Sequence, residues 1–83
     1  MQKISIYSTA TCGYCKMLKS YLQSKNIAYE EKMADEDPNL ARELYEKSGQ
    51  LGVPFTIIET VEGKEEKILG FDRPRIDEVL NLK

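Results

Sequence analysis

Apolar and polar residues alternate at the start of the chain, where Ile4 and Ile6 interleave with Ser5 and Tyr7, and the alternation stops at Ser8-Thr9-Ala10-Thr11. A period of two predicts a short strand running into a polar loop. From Tyr14 the period lengthens: Tyr14, Met17, Leu18, Tyr21 and Leu22 fall on one helical face, Lys16, Lys19 and Gln23 on the other, and Asn26 supplies a stop. Cys12 and Cys15 therefore sit where the loop becomes the helix.

Ile27 to Met33 alternates weakly and carries several charges, which suits a second strand near a sheet edge. The next helix is marked at both ends. Asp37 is placed as its N-cap with Pro38 at the first helical position, Leu40, Ala41, Leu44 and Tyr45 form its apolar stripe, and Gly49 suits a left-handed C-terminal position. Phe55-Thr56-Ile57-Ile58 is strongly β-prone, Glu62-Gly63 marks a turn, and Lys67-Ile68-Leu69 returns as the partner strand of a hairpin. Asp72 to Pro74 reads as another helix start, with Ile76, Val79 and Leu80 on one face to the C-terminus.

The order is βαβαββα. Its first strand-helix-strand unit predicts a right-handed parallel crossover, and its end predicts an antiparallel hairpin covered by a helix. The expected architecture is α/β, a four-stranded mixed sheet flanked by three helices.

Composition narrows the class. With 83 residues, 41% of them hydrophobic, and no repeat or linker-like stretch, the expectation is one domain spanning residues 1–83. Acids and bases nearly balance, for a net charge of -2, so no basic field attracts phosphate backbones and no nucleic-acid partner is expected. The first residues lack the charged head, apolar centre and cleavage site of a secretory signal, and no apolar stretch approaches membrane-spanning length. A cytoplasmic protein without a membrane partner is the expectation, and there two lone cysteines point to catalysis or metal binding rather than a structural staple. With no histidine in the chain, every Ser-His, Cys-His and His-metal mechanism falls away.

The cysteine pair then carries the chemistry. Unpaired N–H groups and the macrodipole at a helix N-terminus favour an anion, so the Cys12 thiolate should be stabilised and its pKa drawn below the free value of about 8.5. Cys15, about one turn on, lies deeper and can reach back with ordinary disulfide geometry. Cys12 is read as the nucleophile and Cys15 as the resolving thiol of a disulfide-exchange cycle. A structural zinc site needs about four ligands, and two cysteines in a monomer do not supply them, so no metal is expected. Pro54, taken alone, is an ordinary proline at a strand entrance with a trans bond.

Taken together, Tyr7-Ser8, Thr11-Cys12-Gly13-Tyr14-Cys15, Ser48-Gly49, Val53-Pro54 and Gly70-Phe71-Asp72 make the chain resemble the glutaredoxin group of the thioredoxin fold over essentially its full length. The resemblance implies a single glutaredoxin-like domain and a monomeric thiol-disulfide oxidoreductase acting on disulfide-containing proteins, with no bound cofactor. It also implies a cis Val53-Pro54 bond beside the active cysteine, with the Val53 backbone pairing with an extended peptide or glutathione. Thr11, Tyr14, Val53, Pro54, Gly70, Phe71 and Asp72 are the implied substrate or glutathione contacts. The helical spacing of Tyr14 equally allows a packing role, and Asp72 equally reads as the cap of the last helix.

The departures bear on the reductant. Glutaredoxins that use glutathione commonly carry basic residues where Thr9 and Gln50 stand, and a second acid where Arg73 stands. Gly13 replaces their usual proline and leaves the motif more flexible. Gly70-Phe71-Asp72-Arg73-Pro74 and Lys16-Met17-Leu18-Lys19 resemble the NrdH-type redoxins, which take electrons from the flavoenzyme thioredoxin reductase and support ribonucleotide reductase. Either glutathione or such a flavoenzyme is thus the expected reductant. A third alternative, also carried by the resemblance, is a dimeric iron-sulfur carrier with glutathione completing the ligand set.

Overall fold

A computed structural model describes residues 3–80 of the chain. Residues 81–83, expected to continue the last helix, lie outside that range. The elements are β1 (Lys3–Ser8), α1 (Gly13–Ser24), β2 (Glu30–Met33), α2 (Pro38–Ser48), β3 (Phe55–Glu59), β4 (Glu65–Leu69) and α3 (Arg73–Leu80), in the predicted order. The sheet runs β2-β1-β3-β4, with β1 parallel to β2 and antiparallel to β3, and β3 antiparallel to β4. This is the thioredoxin-like fold that the resemblance implied.

The strand pleat divides the apolar residues between two faces. Ile4, Ile6, Ile58 and Ile68 pack with Leu18 and Leu22 of α1 and Ile76 of α3 in one buried cluster. On the other face Tyr7, Phe55 and Ile57 pack with Leu44 of α2. Withdrawing each such side chain from water contributes roughly 1.5–3 kcal/mol.

The helix ends follow local chemistry. The Asp37 carboxylate accepts the Asn39 N–H at 2.9 Å ahead of Pro38, and Gly49 closes α2 at φ 78°, a left-handed angle that glycine adopts without a Cβ clash. Asn26 ends α1 at φ 57°, again in the left-handed region.

Three expectations need correction. The buried line of α1 is Cys15, Leu18 and Leu22, while Tyr14 is 65% and Met17 52% exposed. Cysteine is a small hydrophobe in register with the two leucines, and it turns the helix away from the predicted face. On α2 only Leu44 of the predicted stripe is fully buried, and Tyr45 is exposed. The second strand begins at Glu30, not Ile27, because Ile27 and Tyr29 pack against the α1 cluster before the chain enters the sheet.

Beneath α2 the Tyr7 hydroxyl donates to Glu43, whose carboxylate also takes the Lys32 ammonium at 3.0 Å. Burial, helped by the Glu43 carboxylate, pushes Tyr7 up to about 12 from 10.0. A pKa raised by folding gives stability that is intact below the unfolded value and is lost as pH climbs through the folded one. The protein should therefore lose stability between pH 10 and 12. Tyr7→Phe should remove that part of the loss in urea titrations at stepped pH, and an unchanged alkaline slope would disprove the assignment.

Candidate thiol-disulfide site

The strand registers bring four connections to one end of the sheet. Ser8, the last residue of β1, lies opposite Met33, the last of β2, while Phe55 opens β3 opposite both Tyr7 and Leu69, the end of β4. The loop bearing Cys12, the Ala34-Asp35 corner, Val53-Pro54 and Gly70-Phe71-Asp72 all leave the sheet at that end.

Cys12 is the N-cap of α1, with extended backbone at φ -85° and ψ 109°, and its Sγ accepts the Cys15 N–H at 3.1 Å. The two cysteines are joined as a disulfide, their Cα atoms 5.2 Å apart. They differ in access, since Cys12 is half-buried and Cys15 has no exposed surface. Cys15 is thus the deeper of the two, as the sequence predicted.

The approach to Cys12 is held by groups that sequence reading missed. The Cys12 N–H donates to the Thr9 carbonyl at 3.3 Å, and the Ala10 N–H donates to the Asp35 carboxylate at 3.0 Å. Ser8, fully buried, donates its hydroxyl to Glu31 at 2.8 Å, and Lys19, one turn after Cys15, pairs with the same carboxylate. The Lys19 hydrogen bond holds the Glu31 carboxyl below its usual value against the opposing effect of burial, with Ser8 assisting. These bonds fix the end of β1 to the helix carrying both cysteines. The available signal was the parallel pairing of β1 with β2, which sets Ser8 beside Met33.

The implied contact residues divide. Thr11 is exposed beside Cys12, and Tyr14 with Gly13 and Met17 lines an open, mostly apolar hollow of about 340 Å³. The Val53-Pro54 bond is cis, as the resemblance implied, in place of the trans bond read from the proline alone. Pro54 is buried, Val53 packs on the Tyr7 cluster, and the Pro54 carbonyl accepts the Gly70 N–H at 2.7 Å, so these two segments form one unit. Among the described residues the Val53 N–H and carbonyl enter none of the loop or turn backbone bonds. Phe71 sits 6.1 Å from the Tyr21 ring of α1, as part of the packing. Asp72 accepts the Arg75 N–H at 3.3 Å, which is the capping geometry. Among the described residues no group of three or more metal-ligating side chains converges.

Comparisons with known proteins agree with this geometry. The glutaredoxin family profile matches residues 4–61. A protein of Clostridium pasteurianum, described as an uncharacterized glutaredoxin-like 8.6 kDa protein in the rubredoxin operon, is 38% identical over 77 residues, covering 93% of this chain and 96% of that one. Glutaredoxin 3 of Escherichia coli is 32% identical over 59 residues, 71% of each chain. The crystal structure of a thioredoxin-like protein aligns with a TM-score of 0.83 and 26% identity, covering all of both chains.

Proposed function

The chain belongs to the glutaredoxin family, whose members are thiol-disulfide oxidoreductases that use glutathione, and on that premise we propose that it reduces protein disulfides and glutathione mixed disulfides through Cys12 and Cys15. The observation that carries this reading is the unequal placement of the pair at one helix start, Cys12 reachable as the N-cap and Cys15 fully buried.

In the reduced protein, the N–H groups of the first turn and the macrodipole favour Cys12 as the thiolate. That thiolate attacks one sulfur of the target disulfide. The target S–S bond breaks, the distal sulfur leaves as a thiolate that takes a proton from water, and a mixed disulfide remains on Cys12. Cys15 then loses its proton and attacks the Cys12 sulfur, so the Cys12-Cys15 bond forms as the second target thiol leaves. Two electrons have passed from the dithiol to the target. Two thiols of glutathione, or the dithiol of a flavoenzyme, restore the pair. The unengaged backbone of Val53 supports a role in pairing with an extended substrate.

Cys15→Ser should block the second step. Incubated with a protein disulfide, this variant should accumulate an adduct on Cys12 visible as a thiol-sensitive mass shift, and turnover should stop. Sustained turnover without an adduct would refute the resolving role.

A second reading is favoured by neutral Thr9 and Gln50, which stand where glutaredoxins that use glutathione commonly carry cations for its carboxylates. In it, a thioredoxin-reductase-type flavoenzyme is the reductant and ribonucleotide reductase the target. Stopped-flow comparison of the two reductants on the oxidised protein decides. Faster reduction by flavoenzyme with NADPH supports this branch, and faster reduction by glutathione removes it.

A further inference from the structure

Ser8 and Thr56 both carry their hydroxyls inside the core, at 0% and 1% exposure. Ser8 is engaged, donating to Glu31 at 2.8 Å and to the Met33 sulfur at 3.3 Å. The Thr56 hydroxyl has no hydrogen-bond partner among the described residues. An unpaired buried hydroxyl costs stability that a valine of the same shape would not.

The strand registers place this group. Thr56 stands opposite Ile6 of β1 and Ile68 of β4, and the pleat puts it with Ile58 on the face that α1 covers. The buried line of α1, Cys15, Leu18 and Leu22, crosses the same face, with Cys15 toward the end of the sheet where β3 begins. The row Ile6, Thr56 and Ile68 therefore underlies the start of α1, and its one polar member is the unpaired hydroxyl. Cys15 has no exposed surface, and apolar burial makes the thiolate of a cysteine hard to form.

From this we infer that Thr56 is a positioning residue for the resolving step: once the Cys12-Cys15 bond is open, its hydroxyl donates to the Cys15 sulfur and holds it as a thiolate for attack on the mixed disulfide. The inference rests on the disulfide-reductase reading and adds a residue to it. The electron pair of the Cys15 sulfur makes the Cys12-Cys15 bond, the pair of the mixed disulfide leaves with the target sulfur, that sulfur takes up a proton, and Thr56 keeps its own. A donor to a thiolate raises the ionised fraction more than it weakens the nucleophile, so the step gains in rate.

The test follows single turnovers of the reduced protein with excess of a peptide closed by one disulfide, quenched in acid and read by mass spectrometry. Slightly acid pH slows Cys15 more than Cys12, which lets the adduct on Cys12 build up. In Thr56→Val the adduct should live about fivefold longer with its formation rate unchanged, and Thr56→Ser, which restores the hydroxyl, should match the parent. Oxidised Thr56→Val should melt no lower than the oxidised parent. Equal adduct lifetimes in Thr56→Val and the parent, no adduct in either, equal slowing of both steps, or a Thr56→Ser protein as slow as Thr56→Val overturns the positioning role. A melting temperature lowered by more than about 5 °C in oxidised Thr56→Val also overturns it, as the mark of a structural hydroxyl. Failure of the parent to reduce the peptide overturns the reductase reading itself.

Discussion

Cys12→Ser is expected to eliminate disulfide reduction, with turnover in an NADPH-coupled assay falling by about a thousandfold or more. The reaction has no other starting point, because Cys15 is fully buried and the chain holds two cysteines in total. A serine hydroxyl, unlike a thiol, is not ionised at neutral pH and makes no exchangeable bond to sulfur. The fold should be spared, since position 12 is an N-cap and serine is among the preferred residues there. Comparison with the reduced parent by circular dichroism and thermal melting separates lost chemistry from lost structure. A well-folded variant keeping a substantial fraction of the parent's turnover would rule out Cys12 as the nucleophile.

Leu18→Ala carries the largest expected cost in stability. Leu18 has no exposed surface and lies in the cluster that joins α1 to Ile4, Ile6, Ile58, Ile68 and Ile76. Truncating such a residue removes its transfer free energy and leaves a partly collapsed cavity, about 2–5 kcal/mol in total. Against the roughly 5–15 kcal/mol that stabilises a domain, that is a large share, and the melting temperature should drop by more than about 10 °C. Met17→Ala, one residue earlier but 52% exposed, should stay within about 0.5 kcal/mol. Comparable losses for the two would place the buried face of α1 wrongly.

That contrast also shows what the sequence made legible. Element order was readable because its punctuation is local: Asp37-Pro38 starts α2, Gly49 ends it, and two β-prone runs flank the Glu62-Gly63 turn. The redox pair was readable because both cysteines lie within one helical turn of the same loop. The face of α1 was misread because Tyr14 and Met17 look more apolar than Cys15, and only the packing of the finished helix shows that the cysteine lies in line with Leu18 and Leu22. Glu31 and Asp35 were missed for another reason. Their partners, Ser8 and Ala10, are 23 and 25 residues away and meet them only through the β1-β2 pairing. The cis bond at Pro54 had no local signal and came from the family resemblance alone.

The strand order β2-β1-β3-β4 leaves two strands with an unpaired side, β2 and β4, each offering a row of main-chain donors and acceptors to any passing chain. Both begin with the same three residues, Glu30-Glu31-Lys32 and Glu65-Glu66-Lys67. Charge carried along both open flanks is one of the means by which a sheet discourages a further strand from pairing there.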